Sequence, residues 1–279
     1  METHPLSAHE IGEGLPVLII HGWELDGKAE ELDFEPIFTT KAPGLRRIYV
    51  DLPGMGTTPA NNVKDLDDIY LRLIQFIDAR IGKSKFLLMG SSCGGYLARA
   101  LAQKYIGQVD GLLLRVPLIE PKNELRDLDG FQPLVRNEQL VSSMPSEDKA
   151  LLGDVHVQTP AYIKSLKAKY EAIRPSLNAA DKEALGPIRE DPQRYQLSHV
   201  AAADDNNKFF APTLILCGRQ DEVVGYRDSL RLLELYPRST YAVLDRGRHD
   251  LPVDENGLFE ALVRDWLTRV GEWRVRADK

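Results

Sequence analysis

Residue types able to carry out nucleophilic chemistry occur in this sequence where the chain turns. Gly90-Ser91-Ser92-Cys93-Gly94-Gly95 sets a serine between glycines two before and two after it, Gly218-Arg219-Gln220-Asp221 offers a carboxylate, and Asp245-Arg246-Gly247-Arg248-His249 offers an imidazole. A serine hydroxyl is a poor nucleophile at neutral pH until a histidine takes its proton and an acid orients that histidine. Ser92, His249 and Asp221 are therefore the candidate catalytic residues, as nucleophile, general base and orienting acid. Glu120 is the alternative acid, and Glu222 and Asp250 adjoin the favoured pair. Cys93 is an alternative nucleophile, because Ser91 and Gly95 flank it two residues away, but Ser91 fits a tight turn less well than Gly90 does. In the favoured reading Cys93 gives its backbone N–H to an oxyanion hole and buries its thiol.

These residues need elements to carry them. Pro16 to Ile20, Arg46 to Asp51, Phe86 to Met89 and Gly111 to Val116 are short, near-continuous apolar runs that read as buried parallel strands. Between the second and third of these, Leu66, Ile69, Tyr70, Leu73, Ile74, Ile77 and Ile81 recur at helical spacing. The Ser92 turn thus falls directly after a predicted strand and before the helical sequence Tyr96 to Leu101, the context that a strained strand-turn-helix nucleophile requires. Thr213 to Cys217 and Thr240 to Leu244 read as further strands, and Asp221 and His249 lie on the loops that follow them. In a parallel sheet such loops share one edge with the Ser92 turn. A helix is expected around Ser229 to Tyr236. Another closes the chain, with Leu258, Phe259, Leu262, Val263, Trp266, Leu267 and Val270 on its apolar face.

From Leu118 to Asp205 the strand pattern disappears, and with Pro117 at its border this stretch holds eight of the 17 prolines. Thr159-Pro160 followed by Ile163, Leu166, Tyr170 and Ile173 reads as a capped helix with Pro at its first position. The expected division is a core of residues 1–117 and 206–279 with a helical cap of residues 118–205. The fold class is α/β, with a mostly parallel central sheet of about seven or eight strands flanked by helices.

The chain order Ser, Asp, His separates this arrangement from other serine-hydrolase folds. Together with His21-Gly22-Trp23 after the first apolar strand and Asp51-Leu52-Pro53-Gly54-Met55-Gly56 after the second, the sequence resembles the α/β-hydrolase fold superfamily, in its serine-nucleophile, cap-bearing branch. The resemblance implies an eight-stranded sheet, or one shortened at its N-terminal edge. It makes the backbone N–H of Trp23 the second oxyanion donor beside that of Cys93, with His21 a hydrogen-bonded structural residue. Relatives that dehalogenate or open epoxides need a carboxylate where Ser92 stands. The implied activity is hydrolysis of a carboxylic ester or lactone of a small to medium organic acyl compound. Carbon-carbon bond hydrolysis by the same triad is the alternative, and a non-catalytic ligand receptor on this fold is an alternative of another class.

Composition narrows the partners. A net charge of -7 over 279 residues offers no surplus of cations to displace counterions from nucleic acid. The first residues lack the basic start and apolar stretch of a signal peptide, and no run approaches the roughly 20 apolar residues of a membrane span, so a cytoplasmic protein is expected. Cys93 and Cys217 form neither a disulfide framework nor a metal-spaced cluster, and no phosphate loop or dinucleotide fingerprint occurs. The expectation is a small-molecule substrate with no cofactor and no metal. The mixed charge of the cap gives no sign of a strongly ionic substrate. His4, His9, His156 and His199 read as surface or cap residues.

Overall fold

The computed structural model describes residues 5–41, 44–198 and 208–277. Seven strands form its sheet: β1 (Ala8–Ile11), β2 (Leu15–Ile20), β3 (Leu45–Val50), β4 (Phe86–Ser91), β5 (Val109–Arg115), β6 (Thr213–Gly218) and β7 (Ser239–Leu244). Their order across the sheet is β1-β3-β2-β4-β5-β6-β7. Only β1 is antiparallel, pairing with β3; every other neighbouring pair is parallel. From β2 the chain steps to β3 on one side and later to β4 on the other, so the switch in winding direction lies between β2 and β4. In open parallel sheets that crevice at the strands' carboxyl ends is where ligands bind.

The strand readings hold, and the central strands are buried along nearly their whole length because helices cover both faces. β1 adds a strand that the sequence reading did not contain. Its four residues, Ala-His-Glu-Ile, carry too little apolar pattern to announce themselves, and only the exposed edge of β3 selects them.

Helices α1 (Gly27–Lys41), α2 (Leu66–Arg80) and α3 (Cys93–Lys104) follow β2, β3 and β4. Asp65 caps α2, its side chain accepting from the N–H of Asp68, and Leu66, Ile69, Tyr70, Leu73 and Ile77 make the buried face. Each such side chain, fully buried, contributes about 1.5–3 kcal/mol. α1 was not legible. Its buried Phe34, Ile37 and Phe38 share one face, but the charged Glu30 is buried on that face with them, Leu32 is exposed on another, and Pro36 lies within the helix.

Between β5 and β6 the described residues form four α-helices, α4 (Glu138–Ser143), α5 (Ser146–Leu152), α6 (Pro160–Ala179) and α7 (Lys182–Glu190). Thr159 caps α6 as its sequence suggests, accepting from the N–H of Tyr162, with Pro160 opening the helix. This region has its own small core of Leu152, Val155, Val157, Tyr162 and Leu166. The helix expected at Ser229 to Tyr236 is displaced: α8 spans Tyr226–Leu230, and Arg231–Glu234 continues as a 3₁₀ turn. A short α9 (Leu251–Asp254) precedes the closing α10 (Asn256–Ala277), whose Phe259, Val263, Trp266 and Val270 are buried as read.

Candidate active site

Ser92 sits between the end of β4 and the start of α3 with φ 54° and ψ −119°. That left-handed conformation is costly for any residue with a side chain and persists only where packing over-determines it. The flanking glycines explain the packing. A Cβ on Gly90 would lie 2.3 Å from the carbonyl oxygen of Gly94, and one on Gly94 would lie 2.3 Å from that of Ile20. Strand and helix therefore crowd as closely as the G-x-S-x-G spacing implies, and the N-terminus of α3 faces the serine.

The other two loops are tied to each other. Gly218 ends β6 where a Cβ would meet the carbonyl oxygens of Gly247 and Arg248 at 2.4 Å. This close approach lets the N–H of Arg219 donate to Leu244 and that of Gln220 donate to Gly247, bringing Asp221 beside His249. His249 Nε2 lies 2.9 Å from Ser92 Oγ, and Nδ1 lies 2.8 Å from Asp221 Oδ2. The second carboxylate oxygen of buried Asp221 accepts the N–H groups of Val223 and Val224 at 2.8 and 3.0 Å. The residue order along the chain, the strand ends and this geometry agree, and residues 16–255 match the alpha/beta hydrolase fold family.

The chain belongs to the α/β-hydrolase fold family.

Among its family relatives is 2-hydroxy-6-oxo-2,4-heptadienoate hydrolase of Pseudomonas putida, 28% identical over 93% of this chain and 91% of that one. Another is pimeloyl-(acyl-carrier protein) methyl ester esterase of Legionella pneumophila, 23% identical over 92% of this chain and 96% of that one. Among solved structures, an alpha/beta superfamily hydrolase from Oenococcus oeni covers 96% of this chain and 97% of its own at TM-score 0.76 and 27% identity. A thermophilic esterase from Thermogutta terrifontis, at 22% identity and TM-score 0.65 over 95% of this chain and 93% of its own, shares the fold. These relatives are a hydrolase and an esterase, and this chain is an α/β-hydrolase enzyme. Among the described residues no helix is long and apolar enough to cross a membrane.

Within this α/β-hydrolase the alternative acids have other partners than His249, although Asp250 lines the same cavity as Ser92 and His249. Glu120 accepts the N–H of Lys122, Glu222 pairs with Arg248, and Asp250 faces Lys169 at 3.9 Å. The Cys93 thiol is fully buried and pushed up to about 11 by that burial, the opposite of what an attacking thiolate needs. His21 is fully buried, donating from Nδ1 to Gly22 and accepting the N–H of Leu52 at Nε2, and burial lowers its pKa. Neither the backbone N–H of Trp23 nor that of Cys93 has a partner among the described residues. His9 pairs with Glu31, whereas His156 is no surface residue but wholly buried. His4 and His199 lie outside the described residues.

A cavity of about 300 Å³ opens on Ser92 and His249. Its wall contains charges that no sequence pattern had flagged, because they come from separate elements. At one side Arg115, at the end of β5, binds Glu30 and Asp33 of α1 at 2.7 and 2.5 Å and donates to Ser91 Oγ at 2.9 Å. Lys169 of α6 pairs with the same Asp33. Burial raises the pKa of Glu30, and the nearby Arg115 acts against that rise. At another side stand Arg126 and Arg189. Arg126 donates only to the backbone carbonyls of Glu120, Pro121 and Val223. Arg189 donates to Asn123 and lies over the Tyr195 ring at 4.7 Å. Neither has a carboxylate partner among the described residues, and burial together with the neighbouring Arg189 lowers the pKa of Arg126.

Proposed function

We propose that the protein is a serine hydrolase that cleaves a carboxylic ester or lactone of a small to medium organic acyl compound. The observation that carries this reading is the unbroken chain from Ser92 through His249 to Asp221, at 2.9 and 2.8 Å, on the wall of a cavity of about 300 Å³. His249 Nε2 takes the hydroxyl proton as Ser92 Oγ attacks the acyl carbon, and Asp221 stabilises the imidazolium formed. The oxyanion of the tetrahedral intermediate is held by the unpartnered N–H groups of Trp23 and Cys93, aided by the α3 N-terminus. His249 then returns the proton to the leaving alkoxide, and water, activated by the same imidazole, releases the acid from the acyl-enzyme. Residues 118–205 act as the cap that shapes the acyl site, supplying Lys169, Tyr170, Ile173, Leu177, Arg189 and Tyr195 to the cavity wall. Residues 1–117 and 206–279 form the core that carries the triad.

A second reading has a specific observation behind it. Two guanidinium groups without carboxylate partners in the cavity suit an acyl compound that carries an anionic group of its own. The Pseudomonas putida relative is a hydrolase of such a carboxylate, so cleavage of a carbon-carbon bond in an anionic vinylogous diketone is the alternative reaction.

Hydrolysis of p-nitrophenyl acetate and butyrate by the wild type and Ser92→Ala tests the proposal. Loss of a triad serine costs about 10⁶ in turnover. Unchanged turnover in Ser92→Ala would sink the assignment. Turnover of a dienoate chromophore without turnover of either ester would move the reaction to carbon-carbon cleavage.

A further inference from the structure

His156, Tyr162 and Asp254 form a buried chain of hydrogen bonds that the proposed triad leaves unused. His156 Nε2 lies 2.6 Å from the carbonyl oxygen of Arg246 and so donates to it. In a neutral imidazole Nδ1 is then an acceptor, and it faces the Tyr162 hydroxyl at 3.2 Å. The same hydroxyl lies 2.6 Å from Asp254 Oδ1, while Asp254 Oδ2 accepts the backbone N–H of Arg248 at 2.5 Å. A phenol has one proton to give. Both contacts of Tyr162 are hydrogen bonds when the three groups share one extra proton: either on His156, whose Nδ1 then donates to the phenol as the phenol donates to Asp254, or on Asp254 Oδ1, an arrangement in which the carboxyl donates to the phenol oxygen and frees the phenolic proton for His156. Burial favours that arrangement, pushing Asp254 up to about 7 and His156 down to about 4.

The chain of bonds starts and ends on the loop that carries His249 and passes through residues of the 118–205 segment between. Tyr162 belongs to α6 and His156 to the segment before it, whereas the two anchor points, the Arg246 carbonyl and the Arg248 N–H, lie three residues and one residue before His249. The charged and titratable groups around Asp254 come from each packed element: Tyr162 and Tyr170 of α6, and Arg248 and Asp250 of the loop. The Arg248 guanidinium is itself held by Glu222 and the carbonyl of Asp154.

We propose that the His156–Tyr162–Asp254 relay is positioning machinery for His249, clamping its loop to the cap so that the imidazole stays on Ser92. This rests on the reading of Ser92, His249 and Asp221 as the catalytic groups. An asparagine at position 254 matches the protonated carboxyl, since its amide can donate to Tyr162 while its oxygen accepts from Arg248. A leucine can do neither.

The test compares Asp254→Asn, Asp254→Leu and Tyr162→Phe in the full chain, by kcat and KM for p-nitrophenyl butyrate and by the ring-proton resonances of His249. Asp254→Asn is expected to stay within about twofold of wild type at pH 7 and to gain on it above pH 7, where the wild-type relay gives up its proton. Asp254→Leu and Tyr162→Phe are expected to lower kcat by about tenfold or more with KM nearly unchanged, and to shift the His249 resonances, because small misplacements of a catalytic group cost orders of magnitude. Equal losses in Asp254→Asn and Asp254→Leu, or His249 resonances unmoved in Tyr162→Phe, would overturn the proposal. Should Asp254→Leu fail to fold, the contrast between Asp254→Asn and Tyr162→Phe decides. Full turnover in Ser92→Ala would instead remove the triad reading, and the resonances would still decide whether the relay holds His249.

Discussion

The backbone of Ser92 shows what a residue in a strained turn requires of its neighbours. Its positive φ is held because Gly90 and Gly94 let β4 and α3 approach to distances that no Cβ could occupy. Among the described residues Arg189 makes a single side-chain hydrogen bond, to Asn123, and lies against Tyr195, so its charge is available to a ligand in the cavity. Arg189→Gln is expected to raise KM about tenfold or more for p-nitrophenyl esters whose acyl chain ends in a carboxylate, in line with the roughly 1.5–3 kcal/mol of a hydrogen bond to a charged group. Neutral acyl esters should be nearly unaffected. Equal changes for both substrate sets would show that Arg189 does not face the acyl group.

Elements meet here through buried charge and buried polar groups. Arg115 of β5 holds two carboxylates of α1, and Glu30 among them has no solvent exposure. Removing one partner of such a group leaves an uncompensated charge, so Arg115→Met is expected to destabilise by about 3–5 kcal/mol in urea unfolding, with Glu30→Gln in the same chain recovering part of the loss. The relay between cap and loop has opposing pH dependences. His156, lowered from 6.5 to about 4, contributes stability that is full above pH 6.5 and is lost as pH falls toward 4. Asp254, raised from 3.8 to about 7, works the other way, its cost growing as pH rises from about 4 to 7. Asp254→Asn removes the second slope. Its unfolding free energy relative to wild type is therefore expected to rise between pH 4.5 and 7.5, by an amount on the order of 3 kcal/mol. A flat difference across that range would mean that Asp254 does not titrate there.

At the scale of the whole molecule the sheet is held between helical layers, and the site occupies one edge of it. α10 packs on β5 and β6 away from Ser92 and His249, with Trp266 fully buried, its indole N–H donating to the carbonyl of Pro212 at 3.0 Å and its ring close to Gly111. Trp266→Ala is expected to cost about 3–5 kcal/mol of stability while leaving kcat near wild type at temperatures where the protein stays folded. A large fall in kcat without loss of stability would show that the back of the sheet communicates with the site.

The sequence by itself determined the parts whose cause is local. Apolar runs mark strands β2 to β7, the stripe of Leu66 to Ile77 marks α2, Thr159-Pro160 marks the start of α6, and the two glycines mark the Ser92 turn. Placing Asp221 and His249 after successive strands was enough to bring them to one sheet edge, because parallel strands all end on the same side. The tertiary structure alone decided what depends on residues distant in the chain. β1 exists because β3 offers it an edge, and the buried face of α1 includes the charged Glu30, which only its pairing with Arg115 explains. The charged cavity wall joins Glu30, Arg115, Lys169 and Arg189, and the relay joins His156 to Asp254, across separations that no periodicity records. Period and spacing report the backbone's local geometry, whereas burial and ion pairing are properties of which surfaces finally meet.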